Sequence, residues 1–249
     1  MSGLDLRGAF SWWPATETRD SQSPATMTAR PSIPASLLAV GAALTTLWLL
    51  GIDIVPVLAT VVVALGLVAA GLALKRRGTA LTGTILAVVG AVTSLVAIAL
   101  AVAESNGLGE LLWVLAGVLG VTLLGFALVP VRGSGTRWLV KAGAGGVFLA
   151  VLVAGLFRDA TFGSLLLAMV GTVLAWDAGE HAIDVGRQLG RTTSTWRLDL
   201  AHVGATAAVG LGGVLAAHVA AGIRTGGLSL SAYAVLFVAL VALTLALHR

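Results

Sequence analysis

The sequence predicts an all-α integral membrane protein, a bundle of about eight transmembrane helices with both termini on the cytoplasmic side. Three observations carry that prediction. Eight apolar segments recur along the chain, each long enough at about 1.5 Å per residue to cross or nearly cross a hydrocarbon core of about 30 Å. Only 10% of the residues are charged, against about 25% in soluble domains, and mean hydropathy is +1.01. The cations also divide unevenly between the two sides that eight crossings create. Thirteen fall on the side of the N-terminus, and two, Arg158 and Arg224, on the other. Positive charge is retained on the cytoplasmic side of membrane proteins, so both termini are placed inside, at the plasma membrane.

Residues 1–34 precede the first span. They are polar, rich in Pro, Ser and Thr, and without helical periodicity, which reads as a disordered cytosolic tail. No apolar core of a signal peptide is present in them. Met27 is an alternative start, which would leave 1–26 as an untranslated extension.

The spans follow at about 35–51, 54–74, 79–103, 110–131, 138–157, 161–178, 200–222 and 228–247. The first two are separated only by Gly51, Ile52 and Asp53, a tight hairpin in which Asp53 can cap the second helix and Pro56 fits its first turn. Helices satisfy their own backbone groups in lipid, so no sheet is required. Aromatic residues give a second guide to the interfaces, where indole and phenol rings prefer the headgroup level. Trp48, Trp113 and Tyr233 are expected near the outer surface, and Trp138, Trp176 and Trp196 near the inner one.

Packing signals come from small residues at four-residue spacing, which let helix backbones approach closely. The seventh span has the longest ladder, Gly204, Ala208, Gly212, Ala216 and Ala220. The fifth has Ala142, Gly146, Ala150 and Ala154, and the third Gly83, Ala87 and Ala91. Spans five and seven are therefore expected at the centre of the bundle, or the ladder of the seventh serves a homo-oligomer or a partner's helix.

Several chemistries are disfavoured. With no cysteine there are no disulfides, thiolate metal sites or thiol nucleophiles. The two lysines, Lys75 and Lys141, lie at span ends, which speaks against a buried Schiff base. No ionisable residue falls near a span's midplane, where proton and ion pathways place them. No phosphate loop, nucleophile elbow or paired-histidine zinc helix is recognisable. The basic residues sit at span ends and in the tail, a pattern of membrane orientation rather than nucleic-acid binding.

One segment stands apart, Trp176–Trp196, WDAGEHAIDVGRQLGRTTSTW. The sixth span can continue as a helix to Leu189, with Gly190 as its stop. Asp177, Glu180, His181 and Asp184 stand at i, i+3, i+4 and i+7 and share a face. Arg187, Gln188 and Arg191 extend the polar stripe, while Trp176, Gly179, Ile183, Gly186 and Gly190 form an adjoining apolar or small face. Four readings are open. The face is a solvated surface with local pairs such as Asp184–Arg187, a recognition surface, a metal site using Asp177 and His181, or a carboxylate acid–base site. The docking reading places its contacts on Asp177, Glu180, His181, Asp184, Arg187, Gln188 and Arg191 in the cytosolic 177–199 segment.

The string WDAGEHAIDVGRQLGR after a sixth span, with an opening at Met27 of the MTxRPS type, resembles an uncharacterised family of haloarchaeal multi-pass membrane proteins. Asp177, Glu180, Ala182, Val185, Gly186, Gln188, Leu189 and Gly190 carry the match. Genes of that family tend to lie beside those of a MoxR-type AAA ATPase, a von Willebrand-A-like protein and a membrane transglutaminase-like protein. The resemblance implies a class of partner rather than a reaction. Together these observations lead to the expectation of a non-enzymatic scaffold or accessory subunit, without a cofactor, whose partners are the bilayer, other membrane proteins or a cytosolic AAA ATPase. A small-solute transporter or channel is the alternative, and a membrane enzyme built on the Asp177–Asp184 cluster a third.

Overall fold

The computed structural model describes residues 31–51, 54–129, 136–158, 160–189 and 196–222. All regular structure among them is helical: α1 Ile33–Leu50, α2 Val55–Arg76, α3 Ala80–Glu104, α4 Leu108–Leu128, α5 Arg137–Phe157, α6 Phe162–Leu189 and α7 Trp196–Gly222. Among the described residues, seven helices are long and apolar enough to cross a membrane. The expected eighth span at 228–247 lies outside the described residues, as do residues 1–30, Asp53, Gly190, Arg191 and Tyr233.

The helix boundaries follow local chemistry. Prolines stand in the first turns of α1 and α2, where a missing N–H costs nothing. Gly78, at φ 96°, makes the turn from α2 into α3, a left-handed conformation that side chains resist. Glu110 reaches back from the first turn of α4 to accept the Asn106 backbone N–H at 2.9 Å.

Three close-packed pairs organise the chain: α2 with α3, α4 with α5, and α1 with α6. Each is a seam of small residues. Between α4 and α5 the approach is backbone to backbone. A Cβ on Gly143 would lie 2.6 Å from the Leu124 nitrogen and 2.8 Å from the Gly120 carbonyl. Gly71, Gly83 and Gly90 make the α2–α3 seam in the same way. Along α1, Ala35, Ala39 and Ala43 are buried, and α6 comes close enough that a Cβ on Gly171 would strike Thr46 and meet the Ala42 carbonyl. Dispersion at such close approach supplies the attraction that the hydrophobic effect cannot supply between helices in lipid.

The centre of the described bundle differs from expectation. It lies on α4, whose buried residues include Trp113, Val118, Val121 and Leu124, and on the facing side of α5. Among the described residues, none packs closely on the ladder of the seventh span. Gly204, Ala208, Gly212 and Ala216 are all exposed, and a Cβ on Gly204 or Gly212 would meet no atom within 4 Å. The side chain of Ala220 lies outside the description. Small residues permit a close approach but do not decide which face receives one. Trp113 is fully buried beneath the Arg158 guanidinium, which stands 5.2 Å from its ring centroid. Trp48, Trp138, Trp176 and Trp196 are exposed.

Candidate functional site

The polar segment that ends α6 is helical to Leu189, so its ionisable residues project at fixed angles. Their shared face is wide enough to serve two neighbours. Glu180 and Asp184 turn toward the start of α5, where Arg137 and Lys141 stand one turn apart. Arg137 pairs with Asp184 through Nη2 and Oδ1. Lys141 Nζ lies 3.7 Å from Glu180 Oε1. The local Asp184–Arg187 pair expected from spacing is replaced by this contact across helices. Arg187 and Gln188 are exposed, and Arg191 lies outside the described residues.

Asp177 and His181 turn the other way, toward the start of α7. There Asp199, His202 and Thr206 occupy successive turns of one face. His181 Nε2 lies 3.0 Å from Asp199 Oδ1, and His202 Nε2 lies 3.0 Å from Asp177 Oδ2. Each helix therefore gives a carboxylate and takes an imidazole. The first contact is an aligned hydrogen bond. The second is an electrostatic contact without hydrogen-bond alignment. Thr206 completes it by donating its hydroxyl to Asp177 Oδ2 at 2.7 Å. Between the two pairs the imidazole rings stack, with centroids 4.0 Å apart and planes 10° from parallel.

A fourth element closes the network. The Ser32 hydroxyl donates to Asp199 Oδ2 at 3.0 Å, and the Ser32 backbone N–H donates to the Ala182 carbonyl at 2.8 Å. The last residue before α1, within the stretch expected to be a loose tail, is thus tied to both α6 and α7. Asp199 is fully buried, and a carboxylate in such a place is held by hydrogen bonds and nearby positive or polar groups.

This geometry changes what the sequence suggested. Asp177 and His181, which spacing offered as two ligands for one ion, are directed to different partners. Among the described residues, no three side chains of metal-ligand type converge on one point. Sequence reasoning missed Asp199 and His202 as members of the cluster, and Ser32, Arg137, Lys141 and Thr206 as their supports. A signal was present. Asp177–His181 and Asp199–His202 each place an acid and an imidazole one turn apart, on consecutive helices joined by only residues 190–195.

The fold and this cluster define a class: an all-helical protein with helices fit to cross a membrane, which gathers ionisable groups from three helices and a serine from the entry to a fourth at one end. The chain belongs to a family of unknown function, DUF7519, whose model matches residues 87–244. That range takes in α4 to α7 and all of the cluster except Ser32. No curated protein and no solved structure matches the chain.

Proposed function

We propose that this chain is a non-enzymatic scaffold or accessory subunit of a membrane-associated assembly, spanning the plasma membrane eight times with both termini cytoplasmic. The observation that carries the reading is the partnering of the cluster. Asp177, Glu180, His181 and Asp184 face Arg137, Lys141, Asp199 and His202 within the chain, which fixes helix ends. Groups so engaged suit a rigid platform better than a reaction centre. Docking then falls to the exposed Arg187 and Gln188 and, in this proposal, to Arg191. The carboxylates that spacing first suggested act by holding the platform.

The thirteen-to-two division of cations supports the topology. The open ladder on α7 supports a neighbour there, a second copy of the chain or a partner's helix. In that case Gly212→Leu breaks the association, and an unchanged oligomeric state with unchanged captured partners would sink the assignment. The resemblance to haloarchaeal membrane proteins encoded near AAA ATPases supports a cytosolic ATPase as the partner. Close backbone packing along α2–α3 and α4–α5 favours this reading over a solute path between those helices.

The test is affinity capture from gently solubilised membranes, comparing the parent with Arg187→Glu/Gln188→Ala. A specific ATPase captured by the parent and lost in the variant is expected. Equal capture by both, or none by either, would overturn the docking claim. Solute flux in proteoliposomes at a rate above empty vesicles would favour a transporter instead.

A further inference from the structure

We propose that the turn between α2 and α3, which carries Lys75, Arg76 and Arg77, is a docking surface for anionic phospholipid headgroups. This rests on the membrane placement proposed above, in which the turn stands at the bilayer surface. Three consecutive cations close α2, and all three are exposed, as are Gly78 and Thr79 after them. The nearest acidic residues along the chain are Asp53, before α2, and Glu104, at the far end of α3. Helix α3 has 25 residues, which puts Glu104 on the order of 35 Å from the turn at 1.5 Å per residue.

The turn does not use these side chains to hold itself together. Cations near a helix C-terminus can bond its last carbonyls. Here main-chain donors do so. The Arg77 N–H donates to the Leu74 carbonyl at 2.9 Å, the Gly78 N–H to that of Lys75 at 3.4 Å, and the Thr79 N–H to that of Leu74 at 3.3 Å. The Thr79 hydroxyl adds a bond of 2.9 Å to the same Leu74 carbonyl. Helix α3 also presses on the base of the turn, since a Cβ on Gly83 would lie 2.5 Å from the Lys75 backbone nitrogen. Arg137 and Lys141 make the contrast, because each stands against a carboxylate of α6. Lys75 and Arg77 have no ion pair among the described residues, while Arg76 makes an interaction of its own.

The surface beyond the turn identifies the partner. Leu81, Ile85, Val88 and Val92 follow at helical spacing along α3, and all four are exposed, Leu81 by 78%. A ligand that fits both parts carries negative charge at one end and hydrocarbon behind it. An anionic phospholipid has this form, with a phosphate for the cations and acyl chains for the apolar stripe. An acidic peptide or a nucleic acid satisfies the cations and leaves the stripe unmatched. An anionic membrane surface attracts each Lys or Arg by about fivefold in binding.

The chain has no cysteine, so a single introduced one can carry a fluorophore. Labelled Leu81→Cys reports the lipid beside the turn, and labelled Val102→Cys, exposed near the other end of α3, is the control. The full-length chain is reconstituted into mixed bilayers of phosphatidylglycerol and phosphatidylcholine, and quenching is compared with bromine on one lipid or the other. We expect a preference for phosphatidylglycerol of about fivefold or more at Leu81, the attraction of at least one cation, and none at Val102. Lys75→Gln/Arg76→Gln/Arg77→Gln abolishes the preference at Leu81. Equal quenching by the two lipids at Leu81 in the parent turn, the same preference at Val102, or a preference that survives the triple substitution would overturn the proposal. Binding of poly-glutamate to the turn without a lipid preference would give the cations to an acidic protein and overturn it as well. Quenching of neither probe by either lipid would overturn the membrane placement of α3, and the proposal with it. The two probes are compared with the turn intact, so they decide the matter even where the triple variant fails to fold.

Discussion

Asp199, in the first turn of α7, is fully buried, and its Oδ1 lies 3.0 Å from His181 Nε2 on α6. The Ser32 hydroxyl meets its other oxygen at 3.0 Å. Removing the carboxylate leaves two donors facing an apolar gap. Asp199→Ala is expected to cost about 1–3 kcal/mol, the usual penalty for stranding buried polar groups. Asp199→Asn, which keeps an acceptor, should cost less. Thermal unfolding in detergent, followed for both variants beside the parent, checks the order.

The Arg137–Asp184 pair makes a contrast. Its side chains are 48% and 41% exposed, so solvent screens it. Asp184→Ala should change stability by about 0–1 kcal/mol, within the range of surface ion pairs. A loss as large as that of Asp199→Ala would show that Asp184 carries more than this contact.

Two glycines on α5 separate close packing from helix propensity. Gly143 faces the α4 backbone, whereas a Cβ on Gly145 would meet nothing within 4 Å. Gly143→Ala forces the helices apart and should cost about 1–3 kcal/mol, as overpacked cores do. Gly145→Ala should stabilise by about 0.5–1 kcal/mol, the helix preference of alanine over glycine. Equal effects of the two would mean that the α4–α5 approach contributes nothing to stability.

Trp113 and Trp48 test burial in the same manner. Trp113 is fully buried, and Trp48 is 51% exposed. Trp113→Ala should cost about 3–5 kcal/mol through the cavity it leaves, and Trp48→Ala about 0.5 kcal/mol or less. Melting temperatures of the two variants decide it.

The helices were legible in the sequence because lipid leaves a backbone few alternatives, and because their lengths must match the bilayer. Ile33–Leu50 and Arg137–Phe157 begin and end within about two residues of their predicted bounds. The polar cluster was legible on one helix only. Asp177, Glu180, His181 and Asp184 are neighbours along α6, but Asp199 lies 18 residues from His181, and Arg137 lies 47 from Asp184. Partners at such separation are chosen by how helices pack, and periodicity carries no record of that. The ladders show a related limit: Gly146, Ala150 and Ala154 on α5 and Gly83 on α3 lie on packed seams, while Gly204 and Gly212 on α7 stay open. Gly212 and Gly143 look alike in the sequence, yet one is open and the other presses on a backbone.

The seam between α1 and α6 has a consequence for how the chain is made. Ala35, Ala39 and Ala43 are buried along α1, and its principal neighbour is α6 rather than the adjacent α2. During synthesis α1 emerges before α6, and Phe162–Leu189 leaves the ribosome more than a hundred residues later. At about 5–20 residues per second, α1 waits on the order of ten seconds for the surface it fits. Throughout that interval its alanine face is bare to lipid or to whatever insertion factor shields it. Helix α1 is thus seated only after α6 is made, and a chain stopped before α6 would leave it without its main contact.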